Sequence, residues 1–84
     1  MNDPDFSQPV KHRTEFYIHS SNGTPVSDRF VHGQLPVLSR GDSVDLYGAE
    51  MIVKNVTMKV HPDRPDHGEQ AECIMRYDLW RIHD

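Results

Sequence analysis

The sequence predicts an all-β protein: a small antiparallel barrel of five short strands preceded by a mobile N-terminal arm. Three observations carry that expectation. Apolar residues alternate with polar ones in several short runs. Gly and Asn turn signals punctuate those runs at the spacing of small barrels. No window of ten or more residues keeps the i, i+3, i+4, i+7 apolar stripe of an amphipathic helix.

Residues 1–12 hold two prolines and two aspartates with few apolar groups, and read as a flexible arm. Order is expected from Arg13, with residues 13–84 forming one barrel domain. In Thr14 to His19, Phe16 and Ile18 fall on one face at the period of a strand. Ser20-Ser21-Asn22-Gly23 supplies an Asn-Gly turn. Pro25 cannot donate to a ladder, which assigns the return segment through Phe30 and Val31 to a sheet edge or a loop. Pro36 pushes Leu35 toward extended geometry. Ser39-Arg40-Gly41-Asp42 then makes a tight turn whose left-handed position Gly41 fills.

Ser43 to Tyr47 alternates, Gly48-Ala49 interrupts it, and the longest strand starts near Glu50. In that strand Ile52, Val56, Met58 and Val60 share one parity, whereas Met51 and Val53 are apolar on the other and Lys54 is polar on the first. A bulge near 53–54 reconciles the two halves. His61 to Gln70 is a loop with two prolines and a glycine. Beyond it Ala71, Cys73, Met75 and Tyr77 share a face, and a parity shift at Asp78 is expected to bring in Trp80 and Ile82.

The run P-x-x-x-R-G-D-x-V-x-L-x-G from Pro36 to Gly48, followed by V-x-x-V at Val53 to Val56, resembles the central hairpin of small SH3-like barrels. Uncharacterised bacterial and phage-encoded proteins are among them. The resemblance covers about a third of the chain and transfers no site residue, since such folds serve many functions.

Composition narrows function. The 84 residues suffice for one domain, which excludes a doubly wound nucleotide-binding fold and any site between domains. Thirteen acidic against nine basic residues give a net charge of −4, without the basic surplus typical of nucleic-acid binders. The single cysteine excludes an intrachain disulfide framework and fits a reducing compartment. No apolar run approaches a membrane span and no signal peptide is visible, so the expectation is a cytoplasmic protein without a membrane partner.

Candidate sites follow. The loop residues His61, Asp63, Asp66 and His67 invite a metal, with Cys73 and His83 elsewhere, but their spacing matches no standard ligand pair. No metal and no cofactor is expected. Cys73 shares parity with core residues, and no serine lies in a nucleophile elbow, so no catalytic residue is assigned and no enzyme is expected. What remains is a non-catalytic protein–protein interaction module whose partner is another protein or a second copy of the chain. A small bacterial or phage accessory or inhibitor protein fits the size and the resemblance. The expected contact loop is His61, Asp63, Arg64, Asp66 and His67, because binding residues favour loops on a rigid scaffold. The rival expectation is a single-stranded nucleic-acid binder using Tyr17, Tyr47, Lys54, Lys59, Arg76, Trp80 and Arg81, with bases stacked on aromatics between cations.

Overall fold

A computed structural model describes residues 10–63, 66, 68 and 70–83. Five strands follow one another: β1 Lys11–His19, β2 Pro25–His32, β3 Ser43–Leu46, β4 Ala49–His61 and β5 Glu72–Arg81. They form one sheet in the order β2-β1-β5-β4-β3 that curls into a half-barrel. The all-β class, the five strands and the edge position of β2 agree with the sequence reading.

The antiparallel expectation needs correction. β1 and β5 pair in parallel, Phe16 opposite Tyr77 and Ile18 opposite Leu79, so the sheet is mixed. Turn signals define neighbours that are consecutive in sequence, and here the first and last strands meet across the whole chain. The curl also stops short of closure, leaving β2 and β3 as the sheet's two edges. β1 begins at Lys11, so the last two residues of the expected arm pair with Glu72 and Cys73; residues 1–9 lie outside the described part.

The bulge falls where alternation demanded it. Val53 pairs with Leu79 and Asn55 with Asp78, which leaves Lys54 as the extra residue. The bulge sets Met51 and Val53 on the same face as Val56, Met58 and Val60. No parity shift occurs at Asp78: Leu79 follows Tyr77 into the interior and is wholly buried. The core is Phe16, Ile18, Met51, Val53, Tyr77 and Leu79, all on the concave face.

Two turns set the geometry. At Ser20–Thr24 the Gly23 amide donates to the Ser20 carbonyl at 3.0 Å, and Gly23 adopts φ +90°. A Cβ there would sit 2.6 Å from Trp80 Cη2, so glycine is required for both backbone and space. Between β3 and β4, Tyr47 (φ 56°) and Gly48 (φ 86°) form the two-residue turn with positive φ at both positions. Tyr47 is the chain's one described non-glycine residue with positive φ, and its side chain projects into solvent.

Candidate functional site

The segment between β2 and β3, residues 33–42, crosses the concave face as a strap. Its start is fixed to β1: the Gly33 amide donates to His12 O at 2.8 Å, and Thr14 Oγ1 donates to Gly33 O at 3.3 Å. Midway, the Leu38 amide donates to the buried Tyr77 hydroxyl at 3.1 Å. At its end the Gly41 amide donates to Val53 O, and the Val53 amide to Asp42 O, both at 2.8 Å. The turn there is closed by the Ser39 amide on Asp42 Oδ2 at 2.7 Å.

This strap divides the open side of the half-barrel into two apolar hollows. One, about 410 Å³, is lined by Phe16, Val31, Leu35, Pro36, Leu38, Ser43, Val44, Leu46 and Tyr77. The other, about 310 Å³, is lined by His12, Arg13, Thr14, Gly33, Gln34, Leu35, Val37, Met58, Cys73 and Met75. Leu35 belongs to both, so the two hollows adjoin at the strap and together make a groove that it partitions. Large apolar groups of the second hollow are in contact with water, Val37 being 69% exposed and Met58 62%, and Val60, next on the same face of β4, is 55% exposed. Cys73 is half-buried within the second hollow and forms no disulfide.

The convex face mixes paired charges with apolar residues, Ile74 being buried there. Glu15 is buried and takes Arg13 Nη2 at 2.5 Å and the Tyr17 hydroxyl at 3.2 Å. Arg76 lies 4.0 Å over the Tyr17 ring and reaches Asp78 Oδ1 at 3.2 Å. Arg13 lies over Phe30, and Lys54 over Trp80, each at 5.4 Å. Burial holds the Tyr17 phenol above its ordinary range, and the adjacent Glu15 carboxylate pushes it further up against the opposing pull of Arg76.

Of the seven residues expected to bind nucleic acid, five fall on one face of the sheet. Tyr17, Lys54, Arg76 and Trp80 share the convex face, and Lys59 follows on the same parity opposite Ile74. Tyr47 is in the β3–β4 turn, and Arg81 is opposite Met51 on the other parity. The ring faces of Tyr17 and Trp80 are capped by the chain's own cations, and Arg76 is paired to Asp78.

In the expected contact loop, His61 ends β4 with Nδ1 3.6 Å from Glu72 Oε1. Asp63 Oδ1 accepts the Ala71 amide at 2.6 Å, so this carboxylate closes the hairpin. Asp66 is exposed, while Arg64 and His67 lie outside the described residues. Among the described residues no three His, Cys, Asp or Glu side chains gather to hold a metal ion, and no helix is long and apolar enough to cross a membrane.

Sequence reasoning missed the groove because one of its walls comes from the strap. Leu35, Val37 and Leu38 belong to no strand, so alternation gives them no face. The signal that was available is their density: three large apolar residues around Pro36 in what reads as a connection. Comparison with known protein families, with curated proteins and with solved structures finds no match to this chain.

Proposed function

We propose that the chain is a non-catalytic protein–protein interaction module that receives an apolar segment of another protein in the groove under and beside the strap. One observation carries this reading: two adjoining apolar hollows whose lining residues Val37 and Met58 face water, with Val60 exposed beyond Met58 on the same strand face, in a domain with a small core. Contiguous exposed apolar surface on a soluble domain marks a contact site. The lining brings few polar atoms together, and the Tyr77 hydroxyl is engaged by Leu38, which suits side-chain docking better than orienting a polar small molecule. The contact loop expected from the sequence begins at His61, where the strand that carries Met58 and Val60 ends. A cytoplasmic accessory or inhibitor protein of bacterial or phage origin, resembling the SH3-like barrels in its central hairpin, fits this reading.

The test is affinity capture from host extract with the wild type and with the Val37→Glu, Met58→Glu double variant. Both sites are exposed, so the melt is expected to stay within about 0.5 kcal/mol per site of wild type. Specific partners captured by the wild type and lost by the variant support the reading. Identical captures from the two proteins would refute it. The nucleic-acid reading predicts instead an oligonucleotide affinity that falls steeply with salt.

A further inference from the structure

Strand β2 is an eight-residue sheet edge with almost every residue exposed. Natural edges are kept short, charged, proline-bearing, bulged or covered. In β2 the proline and the register irregularity both sit at the Pro25 end, Asp28 and Arg29 balance each other's charge, and the chain leaves the strand by crossing the concave face rather than by covering the edge.

The outward row of the edge follows from two hydrogen bonds. The Lys11 amide donates to Ala71 O beside β5, so His12 faces β2, and His12 O accepts the Gly33 amide. Alternation then turns Val31, Arg29 and Ser27 toward β1, and leaves His32, Phe30, Asp28 and Val26 with main-chain groups directed outward. In agreement, the Asp28 carbonyl is free of the ladder and is met by the exposed Arg29 guanidinium at 2.6 Å, a contact that a docking strand replaces.

We propose that the occupant of this edge is β2 of a second copy, paired antiparallel about a twofold axis at Phe30. The inference goes beyond the groove reading, since it uses the sheet edge and not the groove. Symmetry and side-chain chemistry together select it. In a continuous sheet, residues directly opposite share a face, so the axis must pass through a residue. An axis at Asp28 sets two carboxylates face to face, and one at Arg29 sets two guanidiniums face to face. An axis at Ser27 sets each Asp28 against Val26, and one at Val31 keeps only residues 30–32 paired within β2.

The axis at Phe30 pairs residues 28–32 with their copies. Phe30, 51% exposed, faces its own copy as an aromatic cross-strand pair. Asp28 faces His32 of the other copy on both sides of the axis, where the imidazole N–H donates to the carboxylate. Asp28, Phe30 and His32 are also the residues with outward main-chain groups, so all three enter the new ladder.

Sedimentation of the full chain over a concentration series tests this, comparing wild type, His32→Asp, and Asp28→Lys with His32→Asp. The expected result is a wild-type mass rising toward twice that of one chain. His32→Asp opposes two carboxylate pairs and weakens association roughly tenfold or more, and the double exchange restores attraction and mass. Thermal melts confirm that all three proteins fold, the changes being on an exposed strand. A wild type that stays monomeric, or a dimer indifferent to His32→Asp, overturns the proposal. Either result leaves the groove capture experiment intact, so the two readings fail separately.

Discussion

Tyr77→Phe isolates the bond that holds the strap over the core. The Tyr77 ring is 2% exposed and stacks on Phe16 with centroids 5.8 Å apart. Phenylalanine keeps that ring and its stacking and removes only the hydroxyl that accepts the Leu38 amide at 3.1 Å. A buried donor left without its acceptor costs about 1–3 kcal/mol. Leu38 is only half-buried, so water reaches part of the vacated site and the cost falls at the lower end, about 1 kcal/mol. For a domain of this size that is a drop of roughly 4–8 °C in melting temperature. Thermal unfolding followed by circular dichroism reads the stability, and amide exchange at Leu38 reads the strap directly. The expected outcome is a lowered melt together with faster Leu38 exchange. An unchanged melt with an equally protected Leu38 amide would refute the claim that Tyr77 anchors the strap.

Other perturbations have equally defined outcomes. Gly23→Ala combines a left-handed backbone with a Cβ 2.6 Å from Trp80 Cη2, and is expected to lose about 2–4 kcal/mol with an altered Trp80 fluorescence spectrum; wild-type stability and spectrum would contradict the close approach. Leu79→Ala opens a cavity at a wholly buried site and is expected to cost about 2–5 kcal/mol in denaturant unfolding, whereas the parity shift expected from the sequence places this residue outside the core and predicts little loss. Tyr17 gives a pH signature: its phenol is held above 10.0, so its stabilising contribution is complete below that pH and disappears as pH climbs through the higher folded-state value. Stability of the wild type is therefore expected to decline more steeply above pH 10.0 than that of Tyr17→Phe, and parallel curves would contradict the buried contact with Glu15.

Period-two alternation made the strands legible. Phe16 and Ile18 reach the core as their spacing implies, and the conflict between Val53, Lys54 and Val56 located the bulge. Alternation reports a face and not a neighbour, so the parallel meeting of β1 and β5 was hidden. It also failed at Asp78, where Trp80 suggested a switch of face; Trp80 instead packs over Gly23 and beside His19 on the convex side, leaving Leu79 to the core. The site was less legible than the fold. Asp63 reads as a contact residue in sequence and closes a hairpin in the structure. Glu15, on the face opposite Phe16 and Ile18, lies buried between Arg13 and Tyr17, which flank it on the same strand face, and alternation gives no sign of that burial. The groove depends on a strap whose path over the concave face is set by long-range bonds to His12, Tyr77 and Val53, none of which leaves a local pattern.

Photo-crosslinking from the groove tests the central claim most directly. A benzophenone side chain is placed at Val37 on the groove rim, and in a second protein at Tyr47 in the β3–β4 turn, both highly exposed. Irradiation in host extract is followed by identification of the adducts. The account predicts a discrete protein adduct from position 37 that is absent from position 47. Equal labelling from both positions, or adducts to nucleic acid alone, would contradict it.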